Sequence, residues 1–226
     1  MENVKDSAGR YESPLRIRQA KSTRAAVLNA ARDLFIAKGY GATTVEQIAS
    51  RAGVSKPTVF SAAGNTQTLL AVLRDVAMAG DDEEIAVSAR PAAQQVFAEP
   101  NQHRATELLA GLITAIAGRY AEIDQVLRGA VGSGDEALRE LWETAEQQRH
   151  TGARMWADSL AGKGPLRQGI DTHTAADILW LYMSADVYYR LVRDRGWSPQ
   201  QFQSWLTETL TLSLLPPAPP GVNPSH

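Results

Sequence analysis

Apolar positions along this chain recur every third and fourth residue, from Ile17 to Leu214. That is the period of a helix with one buried stripe. No stretch alternates as a half-buried strand would, and no internal repeat is visible, so the pattern predicts an all-α fold. A first helix over 16–39 carries Ala20, Ala25, Leu28, Ala31, Leu34 and Phe35 on one face and ends at Gly39. Two short helices follow, over 43–51 and 55–62. Asn65 then caps a longer one running through Leu69, Leu70, Leu73 and Val76. After the charged step Gly80-Asp81-Asp82-Glu83-Glu84, Pro91 and Pro100 bracket a short helix at most. Long helices are predicted from Gln102 to about Arg128, from about Asp135 to Leu160, over about 172–194, and over 199–214. Gly132-Ser133-Gly134, Gly162 to Pro165 and Gly196 to Pro199 divide them. The two ends lack any period. Residues 1–15 read as a disordered arm and the proline-rich 216–226 as a loose tail. The predicted organisation is therefore an N-terminal three-helix unit over 16–64 and a helical bundle over 65–215.

The stretch TTVEQIASRAGVSKPTVF, beginning at Thr43, contains the sharpest pattern. Two short helices meet across Ala52-Gly53-Val54. Ala49 is small where the helices touch, Gly53 tolerates the positive φ of a tight turn, and Val54 and Val59 fill the space between. Thr43-x-x-Glu46 is predicted to form a capping box on the first helix, Ser55 to cap the second, and Pro57 to sit in its first turn. This is the layout of a helix-turn-helix, whose second helix enters the DNA major groove. The exposed Ser55, Lys56, Thr58 and Ser61 are placed to meet bases or phosphates, with Thr43 and Pro57 as candidates beside them.

Residues 23–73 resemble the DNA-binding domain of TetR-family repressors: Phe35 to Tyr40 as F-x-x-x-G-Y, then TTVEQIA, AGVSKPTVF, and a cap leading to Leu69-Leu70. The resemblance implies a homodimeric, ligand-responsive repressor on a palindromic operator, and it assigns DNA-contacting roles to Thr44, Lys56, Thr58 and Phe60. It also implies a pocket for a small hydrophobic effector among the middle helices and a four-helix dimer interface built from the last two. The chain departs from the family pattern in two places. Phe60 stands where a tyrosine is common, and Thr66 where a lysine usually opens the next helix. Both remove a contact to the DNA backbone, which Arg16, Arg18, Lys21 and Arg24 are placed to replace.

Charge sharpens the division. Residues 1–80 hold 11 basic and 6 acidic side chains, and residues 81–226 hold 12 and 19, giving +5 in front of −7. A basic front on an acidic body suits an anionic partner for the front alone. There is no cysteine, which excludes disulfides, thiolate metal sites and a cysteine nucleophile. No apolar run reaches the length of a membrane span, and the polar N-terminus is unlike a secretory leader, so a cytoplasmic location without membrane attachment is expected.

In the bundle, Phe97, Leu112, Ile116, Tyr120 and Trp142 are candidates to line a pocket, with Met155, Trp156, Trp180 and Met183. Arg119, His103 or Asp186 would supply its polar groups. The last two helices present Ala176, Leu179, Met183, Val187 and Leu191 on one and Phe202, Trp205, Leu206 and Leu210 on the other, an apolar surface suited to a second copy. Glu143, Glu146 and His150 share a helix face, but no second Glu-x-x-His helix accompanies them. They read as a solvated face rather than a metal site, and no cofactor is expected. The alternatives are a DNA-binding activator without an effector and, from another class, an all-α enzyme using that Glu/His face.

Overall fold

A computed structural model describes residues 14–132 and 134–217. Among them there is no strand. The helices are α1 (Pro14–Lys38), α2 (Val45–Ala52), α3 (Lys56–Ala63), α4 (Thr66–Ala79), α5 (Pro91–Ala98), α6 (Gln102–Val131), α7 (Glu136–Ala161), α8 (Thr172–Tyr182), α9 (Ala185–Tyr188) and α10 (Pro199–Leu214). One 3₁₀ turn spans Val87–Ala89, and a π-helical segment, Tyr189–Asp194, follows α9.

Helices α1, α2 and α3 close on one another through Val27, Phe35, Ile48 and Val59, all with 0% exposure, and Ala49 sits at their contact. Each such aliphatic or aromatic side chain contributes about 1.5–3 kcal/mol by leaving water. The α2–α3 turn depends on Gly53, whose φ of 68° and ψ of 31° lie in the left-handed region; its N–H meets the carbonyls of Ala49 and Ser50. A Cβ there would meet nothing within 4 Å, so the need for glycine is one of backbone conformation alone. The thirty-residue α6 is the mast of the second part: α4, α5, α7, α9 and α10 all pack on it, and α1 reaches it as well.

Three expectations change. Pro14 and Leu15, assigned to the arm, form the first turn of α1, where proline loses no intrahelical bond; the rest of that arm, 1–13, lies outside the described residues. Of the predicted tail, 218–226 also lies outside them. The capping box is shifted by one residue. Thr44 is the N-cap, with its hydroxyl accepting from the Gln47 N–H and the Gln47 side chain accepting from the Thr44 N–H, both at 3.3 Å. Thr43 instead turns inward and donates to the Gly39 carbonyl at 2.9 Å. Finally, the single helix expected over 172–194 is broken at Met183 and Ser184. Arg149 Nη1 donates to the Trp180 carbonyl at 2.8 Å, taking the acceptor that the Ser184 N–H would use in a continuous helix. That N–H bonds to Leu181 instead.

Candidate functional site

The exposed end of α3 is built by its cap. The Ser55 hydroxyl accepts from the Thr58 N–H at 3.3 Å and lies 2.8 Å from the Thr58 hydroxyl, which holds the first turn rigid. Lys56, Pro57 and Phe60 face solvent, Phe60 with 52% exposure, and Thr58 is half-buried beside them. Ser61 is exposed but donates its hydroxyl back to the Thr58 carbonyl at 3.1 Å. Thr44 stands exposed at the start of α2, so two helix starts with free N–H groups share one face. Thr43 leaves the candidate set: at 6% exposure, with its hydroxyl spent on Gly39, it has nothing to offer a ligand.

One charge on this face is restrained. Lys56 Nζ is paired with Glu46, whose carboxyl is held down to about 2, chiefly by that ammonium group, so the pair persists across the working pH range. A duplex laid on this face would have to compete with Glu46 for Lys56 and would also approach a carboxylate. Glu46→Gln is therefore expected to tighten binding to any duplex by roughly two- to five-fold at low salt, with the gain shrinking as salt rises. Mobility-shift titrations at two salt concentrations check this, and unchanged affinity would place Glu46 away from the DNA.

The basic residues of α1 are only partly available. Arg24 donates to Asp82 at 2.5 Å and to the Ala62 carbonyl at 2.6 Å, so it clasps the end of α3 to the segment after α4. Lys21 lies 3.7 Å from Glu83. The acidic run 81–84 is therefore largely occupied: Asp81 is gripped by both terminal nitrogens of Arg90, at 2.5 and 2.8 Å.

A cavity of about 710 Å³ opens between α4, α6, α7, the segment 81–88 and Met183 to Ala185. Of the predicted lining, Leu112, Ile116, Tyr120, Met155, Trp156 and Met183 are in its wall. Four predicted residues are not in that wall. Phe97 lies behind Trp156, rings stacked at 4.4 Å. Trp142 and Trp180 serve as platforms for the guanidinium groups of Arg128 and Arg149, at 4.4 and 4.5 Å. Arg119 donates to the carbonyls of Ala77 and Met78, closing the end of α4. His103 is exposed, and Asp186 accepts from Gln125 and Arg190.

The polar groups that do line the cavity were not singled out from the sequence. They centre on Arg74, which is 6% exposed. Its Nη1 donates to Asp75 at 2.8 Å and its Nη2 donates to Gln148 of α7, but among the described residues its buried Nε–H meets no acceptor. A buried donor left bare costs about 1–3 kcal/mol. Nearby, Asp124 is 3% exposed and accepts from Arg128 at 2.7 Å. Burial, with that carboxylate adding to it, pushes the Tyr120 phenol upward, so it stays protonated. A signal was there to read. Arg74 follows Leu70 by four and Asp124 follows Tyr120 by four, each a charge inside an apolar stripe.

The apolar surface assigned to α8 and α10 divides. Ala176, Leu179, Phe202, Leu206 and Leu210 are at most 2% exposed within one chain, so they belong to its own core and leave no area for a partner. Met183, Val187, Leu191 and Trp205 are half-buried. The large side chains left outside on these helices are Leu181, at 53% exposure, and Leu212, at 61%. The Glu/His face of α7 is also engaged: Glu143 with Arg139, Glu146 with Arg149, and His150 3.8 Å from Asp177.

Residues 27–73 match the family described as bacterial regulatory proteins, tetR family. Over 175 residues, 76% of this chain and 79% of the relative, the chain is 30% identical to the uncharacterized HTH-type transcriptional regulator YdeS of Bacillus subtilis (strain 168). Two solved structures share the fold. SmeT in complex with triclosan is 17% identical with a TM-score of 0.66, covering 91% of this chain and 98% of that one. NalD, the secondary repressor of the MexAB-OprM multidrug efflux pump in Pseudomonas aeruginosa, is 21% identical with a TM-score of 0.64, covering 88% and 98%.

Proposed function

We propose that this chain, which belongs to the tetR family of bacterial regulatory proteins and is a DNA-binding transcriptional regulator, represses its promoter as a homodimer and is released by a small molecule. The observation that carries this reading is the position of α4. Asn65, its cap, directly follows the end of α3, while Arg74, Val76 and Met78 further along line the cavity. A ligand in that cavity touches the helix that carries the DNA-binding face. Arg24 supplies a second link, because it holds the last turn of α3 to Asp82 on the cavity's rim. A ligand that fits a state with α4 and this rim displaced lowers DNA affinity by its difference in affinity for the two states. SmeT, solved with triclosan, and the repressor NalD lend support from the same fold.

Two copies place two α3 helices on one face of a duplex when about 34–36 Å apart, so the expected operator is a palindrome. Footprinting on DNA flanking the protein's own gene tests this. Protection overlapping the promoter is expected; protection only upstream of it would mean activation. Lys56→Ala and Thr58→Ala should each weaken specific binding by about 1–3 kcal/mol, and Lys56→Ala should also lower the salt slope by about 1 for each half-site. Full binding by both variants would move the recognition surface elsewhere.

A further inference from the structure

The cavity's chemistry narrows the class of ligand, an inference that rests on the effector role proposed above. Its walls are apolar, from Leu109 and Ile113 of α6 to Met155 and Trp156 of α7. Acidic side chains crowd its rim, which at first sight favours a cation. Asp81 and Asp82, however, are taken by Arg90 and Arg24, and Glu83, exposed at the surface, lies 3.7 Å from Lys21. Deeper in, Asp124 is held by Arg128 and Glu146 by Arg149. Glu84, fully out at the rim, is the lining acid without an ion pair among the described residues. Against these acids the lining sets one buried donor that meets no acceptor among the described residues. Arg74 Nε–H is buried and bare, and the counter-charge of its guanidinium, Asp75, faces solvent with 69% of its side chain exposed. The Tyr120 hydroxyl, kept protonated, lines the same space.

We propose that the cavity takes a compact apolar acid, seated with its carboxylate on Arg74 Nε–H and its hydrocarbon part against the α6 and α7 walls. A carboxylate satisfies the bare donor with a charge-assisted hydrogen bond and supplies the buried guanidinium with a buried counter-charge. An ammonium group of the same shape would add a second cation beside an unpaired donor. Because Arg74 also ties α4 to Gln148 of α7, the acid binds at the link between the helix leading to the DNA and the body of the bundle.

Calorimetric titration of the full-length chain, without DNA, compares biphenyl-4-carboxylate with biphenyl-4-ylmethylammonium. The acid is expected to bind about 10- to 100-fold tighter than the amine. Arg74→Met should erase that preference, and Arg74→Lys, which keeps the charge, should retain the preference at weaker affinity. Tighter binding of the amine, or equal binding of the acid by wild type and both variants, overturns the proposal. Adding the acid to the footprinting assay is a separate readout. Tight, Arg74-dependent binding that leaves the footprint unchanged would sink induction while leaving this ligand class standing. Release of the operator by the amine alone would do the reverse.

Discussion

Replacing Phe35 with alanine is expected to cost about 3–5 kcal/mol and to abolish sequence-specific DNA binding. Phe35 is at 0% exposure on α1, tilted against Tyr40 at 5.7 Å between ring centres, and it belongs to the same buried cluster as Ile48 and Val59. A unit of about fifty residues buries too little apolar surface to absorb that loss. The DNA-binding helices should therefore loosen while α6 to α10, which pack on one another, stay folded. Thermal melts followed by circular dichroism should show the first transition lowered by roughly 12–40 °C, and mobility shifts should show no specific complex. Calorimetry with a cavity ligand should show weakened binding, because Arg24 of α1 and the helix α4 line that cavity. Phe35→Leu keeps most of the volume and should recover most of the loss. Loss of both transitions together would mean that the two parts melt as one unit.

The double change Leu181→Glu and Leu212→Glu is expected to give a monomer whose helix content is unchanged. Both side chains are more than half exposed, so charging them does not disturb the protomer's own packing. Within the homodimer proposed above, the same change buries two carboxylates in each copy without partners, which costs several kcal/mol. Light scattering should read half the mass. Operator affinity should fall by about 100-fold or more, because a monomer keeps one half-site's contacts, and the dependence of log K on log salt should fall to about half its slope. A dimer of unchanged mass would place the interface away from these residues.

The helices were legible because each carries its own stripe and its own stops. Asn65, Ser55 and Ser198 cap helices, and Pro91 and Pro199 open them, through interactions reaching no further than three residues. The helix-turn-helix was equally local: Ala49, Gly53, Val54 and Val59 specify a contact between neighbouring short helices, and the turn's backbone angles follow from one glycine. The capping box slipped by one residue because Thr43 and Thr44 are both threonines, followed three residues later by Glu46 and Gln47. Which one caps depends on Thr43 finding the Gly39 carbonyl.

The sequence by itself determined the all-α fold and the helix-turn-helix, because these rest on periodicity, caps and one tight turn, and its motifs carried the resemblance to the family. Only the tertiary structure decided which apolar residues face the cavity, the core or the outside. Phe202 and Leu212 lie on the same helix, one fully buried and one 61% exposed; the helical stripe of α10 separates their faces, and packing on α6 decides that the Phe202 face is covered within the chain. It also decided the state of the charges. Arg24 looked free to meet DNA but is spent on Asp82, fifty-eight positions away, while Arg74, marked by its stripe as a charge among apolar positions, is left with a bare donor only by how α4 packs. Partners so distant in sequence leave no local trace, since their meeting is set by how whole helices pack.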